Sequence, residues 1–252
     1  MEIWDVHVHL GLPYLDELRP DKKVVERGSC ERLIEDMNRN NITRSLIFPT
    51  ASVGRQYEKS NEEVSACVKS HPDKFIGFAR VNPRLGEISV EEVKRAATQL
   101  GLKGLKLHPE IESFRPDHEV HKPLFETLVK LGFVVLIHSA PSTRAPTYSS
   151  PFYIERVAQS FPKLKIILAH LNEDTLIVMD RNPNIYADTA ITPYVPTIRH
   201  AIDFGFEDRI CFGSDWPYGS GPKFEIWKVK EAIPEENMRE KVFYKNLKGL
   251  LE

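Results

Sequence analysis

The sequence predicts a closed (β/α)8 barrel of the TIM type, and three observations carry that prediction. The chain has 252 residues, a length that suits one large α/β barrel. Short apolar stretches alternate along it with stretches of helical period. Several apolar stretches, Val134-Val135-Leu136-Ile137 above all, run without polar alternation, as strands do when both faces are covered. An open doubly wound sheet is disfavoured, because no Gly-x-Gly-x-x-Gly follows the first strand. No linker-like shift in composition interrupts the chain, so residues 1–252 are expected to form a single domain.

The elements follow in order. The first strand runs from about Glu2 to Val8, and a loop rich in Gly, Pro and charge follows (Gly11 to Gly28). Glu31 to Asn40 has Leu33, Ile34 and Met37 at helical spacing. Ser45 to Phe48 is a short strand stopped by Pro49. Ser60 with Glu63, and later Ser89 with Glu92, form Ser-x-x-Glu capping patterns that open helices. Phe75 to Val81 is strand three, and Gly101 closes the helix after it. Strand four is Gly104 to His108, followed by a helix from about Val120 to Leu131. Strands five to eight are Phe133 to His138, Lys165 to His170, Ile185 to Asp188 and Arg209 to Phe212. Helices over Pro151 to Phe161, Thr175 to Asp180 and Val195 to Phe204 separate them, and Lys223 to Ala232 and Pro234 to Leu251 end the chain.

In such a barrel the catalytic side chains gather at the C-terminal ends of the strands. His7 and His9 end strand one, and residues two apart in a strand share a face. Lys106 and His108 end strand four, His138 ends strand five, and His170 ends strand six. Asp188 follows strand seven, and Asp215 lies in Gly213-Ser214-Asp215-Trp216-Pro217 after strand eight. Five of the nine histidines thus fall at strand ends, while His71, His118, His121 and His200 lie in helices or loops. A random scatter would not do this, so a metal site is expected. A buried, hydrogen-bonded core histidine is the competing reading for each one, and it is strongest for His108.

Asp-x-His-x-His at strand one, Lys-Leu-His-Pro at strand four, the histidines of strands five and six, and Gly-Ser-Asp-Trp-Pro after strand eight resemble the amidohydrolase superfamily. The branch most similar is the amidohydrolase-related one that includes aminocarboxymuconate-semialdehyde decarboxylase. The resemblance implies that His7, His9, His138 and Asp215 bind a metal. It implies that Asp215 also moves protons, and that His170 polarises the substrate or binds a second metal. In dinuclear members a strand-four lysine is carboxylated and bridges two ions, which Lys106 is placed to do. In the mononuclear branch Lys106 is a cation facing a substrate carboxylate, and one ion per chain is favoured. The loops His138-Ser139-Ala140-Pro141 and His170-Leu171-Asn172-Glu173 lack the glycine frequent there in the family.

Histidine nitrogens with a carboxylate suit Zn2+, the leading expectation, and also Mn2+, Fe2+ or Co2+. Zinc would bring its bound water to a pKa of roughly 7, with Asp215 as general base and then acid and His170 stabilising an oxyanion. Lys106, His108 and Arg144 would hold an anionic substrate, and Trp216 and Tyr148 would wall the pocket. The expected function is a metal-dependent hydrolase acting on a C–N or C–O bond of a small, carboxylated molecule. The alternative is a non-oxidative decarboxylase, a lyase, using the same mononuclear site. The formal net charge of -2 and the lack of a basic cluster argue against a metal nuclease on the same barrel and against nucleic-acid or membrane partners. An intact ligand set argues against a purely binding role. No apolar run reaches the roughly 18 residues of a membrane span. Cys30, Cys67 and Cys211 are expected as reduced thiols of a cytoplasmic enzyme. A homo-oligomer is compatible with this reading.

Overall fold

The computed structural model describes residues 1–11, 28–51, 57–141 and 147–251. Parallel strands follow one another around a ring. They are β1 (Trp4–Leu10), β2 (Arg44–Pro49), β3 (Phe75–Gly77), β4 (Ala79–Arg80), β5 (Gly104–Leu107), β6 (Val134–His138), β7 (Ile166–Ala169), β8 (Ile185–Asp188) and β9 (Ile210–Cys211). Hydrogen bonding joins β1 to β3 in one run and β4 to β9 in a second, always in chain order. β3 and β4 are the expected third strand, interrupted at Phe78, whose N–H donates to Ile47 O at 2.9 Å. At the other seam Val6 N–H donates to Phe212 O at 2.9 Å and His9 N–H to Trp216 O at 2.8 Å. The last strand thereby meets the first, and the fold is a (β/α)8 barrel.

Two apolar layers hold it. Trp4, Val6, Leu46, Phe48, Phe78, Val134, Leu136 and Ile167 pack together in the lumen. Leu247 and Leu250 of the C-terminal helix join that cluster and plug one end. The larger cluster, with Val8, Ile47, Leu105, Val135, Ile137 and Leu168, lies between strands and the helical shell. Adjacent residues such as Val135 and Leu136 belong to different layers, which is why these strands carry no polar alternation.

The helical shell departs from expectation in detail. Helices α1 (Cys30–Asn40), α2 (Glu58–Ser70) and α3 (Glu87–Thr98) follow β1, β2 and β4. Ser60 and Ser89 do not cap them, since both helices begin two residues earlier at Glu58 and Glu87. Before α3 a 3-10 turn, Pro83–Leu85, and Gly86 at φ 56° bring the chain into helical geometry early. A four-residue helix absent from the sequence reading, α4 (Pro109–Glu112), follows β5 directly. Then come α5 (Lys122–Leu131), α6 (Pro151–Ser160), α7 (Glu173–Arg181), α8 (Val195–Asp203) and α9 (Pro222–Ala232). The expected final helix is divided into α10 (Glu236–Glu240), a π-helical turn Lys241–Lys245 and α11 (Asn246–Leu251). Among the described residues no helix is long and apolar enough to cross a membrane.

The cysteine expectation is corrected. Cys30 and Cys67, 37 residues apart, form a disulfide that ties α1 to α2, and only Cys211 is free. The two Cα atoms lie 6.2 Å apart because the fold brings the start of α1 beside α2, which sequence spacing does not show. Burial pushes the Cys211 thiol well above its ordinary pKa. Denatured, unreduced protein is therefore expected to titrate one thiol and reduced protein three, with Cys211 unreactive towards iodoacetamide in the native state. For a closed loop of this separation, Cys67→Ser should lower stability by about 4 kcal/mol, checked by urea unfolding.

Candidate active site

The site is built on a bulge. Strict alternation along β1 would put Asp5, His7 and His9 on one face. The pairing of β1 with β2 instead slips between Asp5 and Val8. Trp4 and Val6 face the lumen before the slip, and His7 and His9 line the cavity after it. Asp5 is left behind the site, where its Oδ1 accepts from His7 N–H and Ser214 N–H, both at 3.0 Å. It thus fastens β1 to the turn that carries Asp215. Burial raises the Asp5 pKa to about 7 despite those donors.

A cavity of about 350 Å³ opens at the C-terminal ends of the strands. His7, His9, Lys106, His108, His138, His170 and Asp215 all line it, so the structure gathers every strand-end residue named above except Asp188. Asp188 sits behind His7, with Oδ2 2.7 Å from His7 Nδ1. Its Oδ1 accepts from His170 N–H at 2.9 Å and Ala190 N–H at 3.0 Å. Gly213 packs closely here, since a Cβ on it would lie 3.0 Å from His7 Cβ.

Backbone conformation aims two of the side chains. His170 and Asp215 have φ of 65° and 56°, the left-handed region that costs non-glycine residues about 1–2 kcal/mol. Neighbouring hydrogen bonds hold them there. Leu171 N–H donates to Asp188 O at 2.9 Å, and Tyr218 N–H donates to Asp215 O at 2.7 Å. Such strain collects at sites where geometry matters more than local stability.

The ring nitrogens fix the proton positions. The Asp188 carboxylate at His7 Nδ1 and the Ala190 carbonyl 2.9 Å from His170 Nδ1 both require an N–H there. Each ring's Nε2 then presents a lone pair to the cavity. His170 Nε2 lies 3.1 Å from His138 Nδ1. In this tautomer His170 suits ligation or proton acceptance, and the neutral ring has no second N–H for an oxyanion. Asp215 Oδ1 is 3.0 Å from both His7 Nε2 and His9 Nε2. Two electron-pair donors this close repel unless a proton or a cation lies between them. Burial and the Lys106 ammonium oppose a charge on His7, but Asp188 and Asp215 outweigh them and raise its pKa. Burial disfavours the Asp215 charge, yet His7 and His9 hold that carboxylate far below its ordinary range. Burial takes His9 down to about 3 and His138 well below the usual imidazole value, so both rings are neutral donors.

This donor set fits a divalent ion. His7, His170 and Asp215 offer ligand atoms all within 4.8 Å of one another, and His9 joins through the same Asp215 oxygen. His108, Glu110 and His138 also gather within that range. The His108 and His138 rings, however, stack at 3.8 Å and 9°, so their lone pairs run side by side instead of converging on one ion. Lys106 is fully buried with Nζ 3.0 Å from His7 Nε2, and burial lowers its pKa to about 8.

Sequence reasoning missed part of the wall. Arg80, at the end of β4, lines the cavity and is wholly buried. Glu112 of α4 pairs with it. Its Oε1 accepts from Arg80 Nε at 3.0 Å, Arg80 Nη2 at 2.8 Å and Tyr57 Oη at 2.7 Å, and its Oε2 accepts from His108 N–H at 2.9 Å. The signal was present: Arg80 is a strand-end residue of the same kind as Lys106. Tyr218 also lines the cavity, its ring edge-on to His9 at 5.0 Å. Of the expected walls, Trp216 turns away and donates Nε1–H to Asp36 Oδ2 at 3.0 Å, while Tyr148 is exposed and not part of the lining. Arg144 lies outside the described residues.

The chain is similar to several known proteins. The chain is 27% identical over 128 residues to the 2-amino-3-carboxymuconate-6-semialdehyde decarboxylase of Dictyostelium discoideum, covering 44% of this chain and 36% of that protein. It is 23% identical to the gamma-resorcylate decarboxylase of a Polaromonas species, covering 91% of this chain and 86% of that one. The solved structure of a dihydroxybenzoic acid decarboxylase from Polaromonas, with bound manganese and the inhibitor 2-nitroresorcinol, superposes with a TM-score of 0.77 at 18% identity, over 99% of this chain and 96% of that one. The family model described as Amidohydrolase matches residues 4–246, and the chain belongs to the amidohydrolase family.

Proposed function

We propose that the protein is a metal-dependent, non-oxidative decarboxylase of a small carboxylated aromatic acid. The observation that carries this reading is one cavity that joins a histidine and carboxylate donor set to two buried cations, Lys106 and Arg80. Its volume of about 350 Å³ suits a single substituted ring. The relatives named above are decarboxylases, which favours this alternative over hydrolysis. His7, His9, His138 and Asp215 would hold one divalent ion per chain, leaving His170 Nε2 free to take a proton, and manganese suits these donors chemically as well as zinc.

The ion, when bound, would draw charge from the substrate's oxygens. Lys106 faces the substrate as a cation. The reaction is Ar–CO2⁻ + H⁺ → Ar–H + CO2. Asp215, ionised in the resting site, accepts a proton from solvent and delivers it to the ring carbon as the C–C bond breaks. The neutral Nε2 of His170 accepts a proton from a substrate hydroxyl and returns it to the same oxygen once the ring carbon is protonated.

Manganese-loaded protein offered 2,6-dihydroxybenzoate and other 2-hydroxybenzoates should release carbon dioxide equal to the acid consumed. Chelation should abolish release and added metal restore it, with elemental analysis giving one ion per chain. Turnover of cyclic amides or esters without carbon dioxide from any aromatic acid would restore the hydrolase reading.

A further inference from the structure

Arg80 is more than a structural partner of Glu112. A guanidinium has five N–H donors. Nε and Nη2 both turn to the single oxygen Glu112 Oε1, and among the described residues Nη1 has only Pro49 O, at 3.3 Å. Glu112 thus occupies the edge that carries Nε. One N–H on Nη1 and one on Nη2 have no acceptor among the described residues. Donors buried in this way are costly to leave unpaired, and they mark a place where a ligand atom belongs. The remaining Nη1/Nη2 edge is the fork that takes a carboxylate bidentately. Arg80 also borders the cavity between Thr50 and His108, on strands apart from the β9 end that positions Asp215.

We propose that Arg80 anchors a second acidic group of the aromatic substrate, distinct from the carboxylate that is lost. The inference rests on the decarboxylase reading and narrows its substrate class to ring acids with two anionic substituents, the second a carboxylate or phenolate. Glu112 fixes the guanidinium so that its fork is presented without reorganisation. Tyr57 supports the same arrangement, its ring 5.0 Å from the guanidinium carbon and its hydroxyl on Glu112.

Calorimetric titration of manganese-loaded protein with benzoate, benzene-1,3-dicarboxylate and benzene-1,4-dicarboxylate tests this. Wild-type protein should bind at least one dicarboxylate tenfold or more tighter than benzoate. Arg80→Gln should erase that difference. Should Arg80→Gln fail to fold, Arg80→Lys keeps a charge for Glu112 but loses the fork, and should shrink the preference several-fold. Equal wild-type affinity for all three ligands would overturn the proposal, as would an undiminished preference in Arg80→Lys. The readout is equilibrium binding. An Arg80-dependent preference without carbon dioxide release would therefore reject the reaction and keep the anchor, and release without the preference would do the reverse.

Discussion

Asp215→Asn lowers the rate of carbon dioxide release by about 10²–10⁴-fold, the scale of a lost general acid–base group. Asn keeps an oxygen at the position 3.0 Å from His7 and His9, so bound metal should stay near the wild-type level by elemental analysis. The left-handed backbone at residue 215 suits Asn as well as Asp, so the fold should be undisturbed. What disappears is an oxygen that can accept and return a proton. A fall in kcat with unchanged metal content is therefore the expected split. Retained turnover would remove Asp215 from proton transfer and leave it only a ligand.

The second large effect is on stability. Glu112→Ala should cost about 3–5 kcal/mol, because it leaves a wholly buried Arg80 charge without its partner. It also strips the acceptor from the Tyr57 hydroxyl and the His108 N–H. The urea midpoint should fall with the slope unchanged. The double variant Arg80→Met/Glu112→Met should recover most of the loss, since paired buried charges can be exchanged for apolar volume. Exposed helix pairs such as Lys94–Glu91 contribute little by comparison, and Glu91→Gln is the matching control. A Glu112→Ala midpoint equal to that control would show that the buried pair does not hold the β4–α4 wall.

The barrel was legible because strand periodicity and strand-end chemistry agreed. Apolar runs marked the strands, and His7, His9, Lys106, His138, His170 and Asp215 each fell where such a run stopped. Long-range geometry was not legible. A bulge between Asp5 and Val8 changes which side chains share a face, and nothing in the alternation of β1 announces it. Arg80 stood at a strand end like Lys106, but its partner Glu112 lies in a short helix the periodicity did not reveal. The Cys30–Cys67 bridge depends on how α1 and α2 pack, so separation alone argued wrongly for free thiols. The φ values of His170 and Asp215 come from tertiary hydrogen bonds, which override the local preference of both residues. The donor set could be listed from sequence, but its tautomers needed Asp188 and the Ala190 carbonyl in place.

In the proposed reaction a ring carbon exchanges its carboxylate for a proton at this site. The most direct measurement is turnover of 2,6-dihydroxybenzoate by the manganese-loaded protein in D2O, followed by proton NMR of the product. One deuteron should appear at the carbon that carried the carboxylate, with one carbon dioxide per product, and both should be lost in Asp215→Asn. A substrate of any class cleaved at a C–N or C–O bond, with no new C–D bond and no carbon dioxide, would contradict this reaction.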